Sequence, residues 1–246
     1  WRVCHSQSPR IRWEMTDPMT TEHPQLPLGI GLKDTATFDN FYPAGNELLM
    51  QAQQQGNDPA LYLWGPVGSG KSHLLQALCH AAAAKGESPV YLPLQELASL
   101  SPALLEGLEQ QALIAIDDIQ AVAGLSQWEE SLFHLYNRVR DSGHRLVVSA
   151  SSAPAGLSLT LPDLVSRLGW GPVFQLSVLT DMDKRCALQL RAHGRGLEMG
   201  DEVADYLLKR CPRDMDSLFN LLNRLDQASL AAQRRLTIPF VRQLLA

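Results

Sequence analysis

Eight consecutive residues, Gly65-Pro66-Val67-Gly68-Ser69-Gly70-Lys71-Ser72, follow the pattern G-x-x-x-x-G-K-[ST]. The chemistry such a run can do is anion capture. Glycines let main-chain N–H groups turn inward around a phosphate with no Cβ in the way, and the start of a following helix adds partial positive charge. Lys71 brings a mobile ammonium to β- and γ-phosphates, and the Ser72 hydroxyl can ligate Mg2+. The bland alternative is a Gly-rich turn between strand and helix that happens to carry a lysine. A second pair, Asp117-Asp118, closes the apolar run ALIAID. An acid ending a strand parallel to the one before the loop can hold Mg2+, and the next acid can orient an attacking water. Either aspartate can equally cap a helix or make a turn, and for Asp118 the two readings stand level. The implied cofactor is ADP or ATP with Mg2+, the metal held by Ser72 and Asp117.

These groups need elements to hold them. ALYLWG (60–65) reads as a buried strand running into the loop, and Lys71 to Lys85 as the helix leaving it, with Leu74, Leu75 and Leu78 on one face. His73 is the next residue into that helix and completes the set expected around the nucleotide; the side chains of His73 and His80 read as packed or solvated rather than catalytic. VYLPL (90–94), ALIAID (112–117), RLVVSA (145–150) and VFQLS (173–177) are further strands, and Gln95 to Gln110 is weakly helical and broken at Pro102. Ser126 to Glu129 fits the capping-box pattern S-x-x-E, followed by Trp128, Leu132, Tyr136 and Val139 on one helical face. LPDLVSRLGW (161–170) reads as a short helix. Strands alternating with helices imply a parallel sheet. After residue 178 the strand signal stops, and four helices are expected: Thr180 to Arg195, Asp201 to Arg210, Asp214 to Leu230 and Pro239 to Leu245. The expected architecture is α/β, a five-stranded parallel sheet flanked by helices (35–178) and then a small all-α lid (179–246). A Pro-bearing N-terminal arm (1–34), with the apolar island Leu26, Leu28, Ile30 and Leu32, precedes both.

Bulk composition narrows the partners. The 246 residues carry 21 Lys plus Arg against 26 Asp plus Glu, a formal net charge of −5, which argues against direct, specific DNA binding. No run approaches ~18 apolar residues, so no membrane span is expected. Trp1 to Trp13 lack the apolar core of a signal peptide. Cys4, Cys79, Cys186 and Cys211 make no CxxC pair and read as free thiols of a reducing, cytoplasmic compartment.

The motifs together resemble the DnaA/Hda family of AAA+ nucleoside triphosphatases. TFDNF (37–41), DDIQ (117–120), SRLGWG (166–171) and Arg213-Asp-Met-Asp-Ser-Leu carry the resemblance to the initiator. LPDLVSRLGWG, DKRCALQLRAHGRGLE (183–198) and RRLTIPFVRQLL (234–245) are similar to the Hda branch, whose members trigger hydrolysis of initiator-bound ATP. The resemblance implies that Arg167 is an arginine finger reaching a neighbouring subunit's nucleotide, and that Arg213 is the sensor 2 arginine of the lid. It places sensor 1 within Ser149 to Ser152, best at Ser152, and the base near Tyr42, which core packing would explain as well. On the residues alone, Arg167 reads as a surface ion pair and Arg213 as a solvated helix start. Gln25-Leu26-Pro27-Leu28-Gly29-Ile30 is similar to the peptide by which replication proteins dock on the β sliding clamp, with Gln25 hydrogen bonding and Leu26, Leu28 and Ile30 filling a groove; a tail tucked onto its own domain is the plain alternative.

Three functions follow from these readings. One is a nucleotide-switched regulator that docks on the clamp and offers Arg167 to DnaA. The others are a self-sufficient AAA+ ATPase such as a helicase loader, and a DNA-binding initiator, which would need a basic recognition module. Asp118, one methylene shorter than the Glu usual in AAA+ ATPases, leaves the chain's own turnover open, as is a homodimer or higher oligomer. The first function accounts for both the docking peptide and the charge.

Overall fold

The structure, a computed structural model, describes residues 36–50, 58–232 and 234–245. Gln25, Leu26, Leu28 and Ile30 lie outside the described residues. Five parallel strands, β1 (Ala60–Trp64), β2 (Pro89–Pro93), β3 (Leu113–Asp117), β4 (Arg145–Ala150) and β5 (Val173–Gln175), form one sheet in the order β2-β3-β4-β1-β5. Helix α1 (Lys71–Ala84) follows β1, the short α2 (Leu94–Leu97) follows β2, α3 (Ser126–Asp141) joins β3 to β4, and α4 (Pro162–Leu168) joins β4 to β5.

Alternation along the strands separates two cores. Leu61, Leu63, Leu113, Ala115 and Val147 face one side and pack with Leu74, Leu75 and Leu78 of α1. Tyr62, Ile114, Ile116, Leu146 and Val148 face the other, against Trp128, Leu132, Tyr136 and Val139 of α3 and Leu164 and Leu168 of α4. All five residues of β3 are buried, as a central strand covered on both faces requires.

The capping box expected at Ser126 does not form. Ser126 is the first helical residue of α3, Leu125 is the N-cap without a side-chain bond, and the Glu129 carboxylate turns to other donors. A capping box does form at Thr180, where the Asp183 N–H donates to Thr180 Oγ1 (3.2 Å) and the Asp183 carboxylate accepts from the Thr180 N–H (2.9 Å). That box opens the lid: α5 (Asp181–His193), α6 (Asp201–Arg210), α7 (Met215–Ala232) and α8 (Ile238–Leu245). Leu188, Leu207, Leu218, Leu222, Leu225 and Val241 form its core. No described helix is long and apolar enough to cross a membrane.

Candidate nucleotide site and the arginine face

The loop 65–70 begins where β1 ends, and its glycines have different tasks. At Gly65 a Cβ would lie 2.5 Å from the Leu176 carbonyl oxygen, so the chain continuing from β5 forbids a side chain there. Gly70 sits at φ 92°, ψ 11° as the N-cap of α1, the left-handed region that glycine enters without a Cβ penalty, and the Phe41 ring closes over it. No side chain caps α1, which leaves its first-turn N–H groups to be satisfied from outside the helix. Ser69 Oγ is buried with no hydrogen-bond partner among the described residues. Unsatisfied donors, an uncapped helix start and a polar orphan on one loop fit a bound phosphate chain. Pro66 and Val67 form the exposed tip of the loop, and Gly68 also lies in the left-handed region, at φ 79°. Lys71 is buried and donates Nζ to the carbonyls of Gly65 (2.8 Å) and Pro66 (3.0 Å). Burial lowers its pKa, and the charges of Asp118 and Asp117 offset part of that effect. Ser72 follows on the first turn.

Asp117 ends β3 buried, at the C-terminal edge of the sheet that also carries the loop. Its Oδ2 accepts from Tyr91 Oη at 2.6 Å, and its Oδ1 accepts from Ser149 Oγ. Strand register explains the second contact: Ile116 is opposite Val148, so the next pair along is Asp117 and Ser149. Burial raises the Tyr91 pKa, with the Asp117 charge and hydrogen bond adding to it, so the phenol stays a donor. Asp118 takes φ 57°, ψ 55°, uncommon for a residue with a Cβ. Its N–H donates to Ser149 Oγ (2.9 Å), and its Oδ1 accepts from Gln120 Nε2 (2.8 Å). Ser152, expected as sensor 1, lies beyond β4, where its carbonyl accepts from Tyr62 Oη. The hydroxyl touching both aspartates is that of Ser149. Tyr91 carried no sequence signal of its own, and the family patterns that contain Ser149 and Gln120 did not mark either out, because these contacts depend on how distant segments meet in the fold.

Tyr42 and His73 line the same end. The His73 ring nitrogen Nε2 lies 2.9 Å from the Thr37 carbonyl, and the ring centroid lies 5.6 Å from that of Phe41. Tyr42 packs against the lid core, and its pKa is raised first by a hydrogen bond to Cys186 of α5. Arg213 pairs with Asp181 of α5 at 3.1 Å, with the two side chains 60% and 59% exposed. An exposed pair of that kind contributes at most ~1 kcal/mol, so it is a weak tether.

Arg167 lies elsewhere. Residues 170–172 run beside the start of β1, with the Tyr62 N–H donating to the Pro172 carbonyl at 3.0 Å and Val173 opposite Tyr62. The Arg167 guanidinium lies 3.8 Å from the centroid of the Trp170 ring, and Arg140 lies 5.7 Å from the same ring. The loop leaves the other end of β1, roughly 13 Å away along the strand at ~3.3 Å per residue. Arg167 makes no ion pair among the described residues, and its Nε is buried without a partner. The ion-pair alternative is therefore not what this structure holds, whereas Arg213 does form such a pair.

The bacterial DnaA ATPase domain family matches residues 32–175, and the Hda lid domain family matches residues 181–245. The chain belongs to the DnaA family of AAA+ proteins and carries an Hda lid. This Hda-like protein is 46% identical over 226 residues to an uncharacterised protein of Haemophilus influenzae, a match that covers 90% of this chain and 98% of that one. Its fold is that of domain III of the Thermotoga maritima replication initiation protein DnaA (TM-score 0.71, 23% identity, 87% of this chain and 97% of that one). It is also that of AMPPCP-bound DnaA from Aquifex aeolicus (TM-score 0.66, 23% identity, 80% and 67%). The matched core family is an ATPase domain, which makes the chain a nucleotide-binding protein.

Proposed function

We propose that this protein is a nucleotide-switched regulator of the initiator DnaA, one that docks on the β sliding clamp through residues 25–30 and offers Arg167 to ATP held by the initiator. The observation that carries the reading is the position of Arg167: half-buried, in no ion pair among the described residues, and at the end of the sheet remote from its own loop. A guanidinium held there cannot serve the nucleotide of its own chain, but it is placed to meet one presented by a neighbour. The planar fork stabilises charge spread over phosphoryl oxygens better than a lysine can. The Trp170 ring restricts the side chain, so less freedom is lost when the guanidinium engages.

At the other end, Lys71, Ser69 and the uncapped start of α1 would hold the phosphates of ADP or ATP, and Ser72 with Asp117 would hold Mg2+. When bound, the metal supplies charge neutralisation across the phosphates. The Asp117 oxygens each retain a lone pair after accepting from Tyr91 and Ser149. Self-sufficient hydrolysis is the weaker reading, because Asp118, the candidate base, already spends Oδ1 on Gln120.

The test is hydrolysis of initiator-bound ATP in the presence of DNA-loaded clamp. Wild type should stimulate it and Arg167→Ala should not; equal stimulation by both would refute the finger. Deleting residues 25–30 should abolish clamp binding and leave ADP affinity intact, and unchanged clamp binding would refute the docking role.

A further inference from the structure

Glu129, on the first turn of α3, is fully buried at 0% exposure, yet no cation pairs with it among the described residues. Its charge is met by donors from two other segments. Oε1 accepts from the Gly124 N–H (2.7 Å), and Oε2 accepts from the Thr160 N–H (2.8 Å), Thr160 Oγ1 (2.9 Å) and the Leu161 N–H (2.7 Å). Burial pushes the carboxyl pKa up, but these four donors more than offset it and hold it below the usual range, so the group is ionised at neutral pH.

The two segments lead to the two chemical ends of the molecule. Gly124 closes the turn Ile119–Val122, which begins directly after Asp118. Thr160 and Leu161 run into Pro162, the first residue of α4, whose last turn carries Arg167. The stretch between them is pinned at its other end as well. Gln120 donates to Asp118 Oδ1 and accepts from the Ser151 N–H at 3.0 Å. The chain from Ser151 to Leu161 is thus tied at its head by Gln120 and at its foot by Glu129, and both ties run to the turn that follows the aspartate pair.

We propose that Glu129 is a positioning residue that couples the aspartate pair at the nucleotide end to the placement of Arg167. A displacement of Asp118 on nucleotide binding moves the 119–124 turn. Glu129 makes the foot of the 151–161 segment follow that turn, and α4 carries the movement to the Arg167–Trp170 stack. A carboxylate suits the task, because two oxygens accept four donors from two segments at once. An amide would turn two N–H donors toward some of those same N–H groups.

This inference rests on the reading of Arg167 as a finger, so the experiment avoids the partner. Trp170, 58% exposed and stacked on Arg167, serves as reporter. Its emission is taken as the difference between each protein and its Trp170→Phe counterpart, with and without ADP. In wild type, ADP should change the Trp170 signal. Glu129→Gln should bind ADP within twofold of wild type and lose at least four-fifths of that change. Thr160→Val, which removes one of the four donors and keeps the shape, should show an intermediate change. If Glu129→Gln does not fold or bind ADP, Thr160→Val decides alone. An undiminished ADP response in the deciding variant, or no ADP response in wild type, overturns the proposal. A Glu129-dependent Trp170 response beside an Arg167→Ala variant that still stimulates the partner would leave the coupling standing and remove the finger.

Discussion

The two ends of the central sheet are built on opposite plans. At the C-terminal edge, Lys71, Asp117 and Ser149 are buried, and each makes hydrogen bonds fixed by strand register or loop geometry. At the N-terminal edge, Arg167 and Trp170 form a stack open to solvent on one side, and among the described residues no carboxylate pairs with the guanidinium. The first end is finished by its own chain, apart from the loop donors and the uncapped helix start that await phosphate. The second end offers charge and aromatic surface with no carboxylate partner for Arg167 among the described residues. Burial and internal satisfaction suit a residue that must hold its own nucleotide, whereas an unpaired arginine braced by an aromatic suits one that must act outside the chain.

Breaking the second end should have the largest effect. Arg167→Ala should lower stimulated hydrolysis on the partner by ~10³-fold or more while ADP affinity, read by calorimetry, stays within twofold. Arg167→Lys should rescue little, since it keeps the charge and loses the fork. At the first end, Lys71→Ala removes charge-assisted bonds to phosphate and should weaken ADP binding by ~10²-fold, at roughly 1.4 kcal/mol per decade. Ser149→Ala unties Asp117 from the Asp118 N–H. Losing neutral bonds of about 1 kcal/mol should make Mg2+-dependent ATP affinity fall by up to about tenfold, with Mg2+-free ADP affinity much less affected. The smallest signal is in acid. The Glu129 pKa is depressed below its ordinary 4.5 on folding, so its stabilisation is complete above that value and is lost as pH falls through the folded one. The gap in melting temperature between wild type and Glu129→Gln should be widest near neutrality and close as pH drops below the ordinary value. A gap that widens in acid would contradict the ionised, donor-satisfied assignment.

Most of the framework is legible in the sequence. The loop pattern, the strand–helix alternation and the four late helices depend on local period and composition, and each formed within a few residues of expectation. What stayed hidden was contact between elements distant in sequence. Ser149 meets Asp117 because β3 and β4 are neighbours in register, and nothing in the run Ser149-Ala-Ser-Ser152 distinguishes that serine from Ser152. Glu129 shows the same limit from another direction. Its spacing from Ser126 matches a capping box, but Gly124 and the 160–161 turn offer better donors than the Ser126 N–H, and tertiary contacts won. The box at Thr180 used the same local chemistry with no such competitor. For Arg167, composition alone favoured an ion pair, and only the lack of a carboxylate partner among the described residues separates it from Arg213.

The central claim is that Arg167 serves a nucleotide other than its own, and photolabelling tests it most directly. ATP bearing an azidoanilide on the γ-phosphate would be loaded either on the initiator or on this chain before assembly on the clamp. With the probe on the initiator, the labelled peptide of this chain should contain Arg167 to Trp170. With the probe on this chain, label in its own sequence should fall on peptides of the nucleotide end, around Lys71 and Asp117. Labelling of Arg167 to Trp170 by the chain's own nucleotide, or none at that strip from the initiator's, would contradict the account.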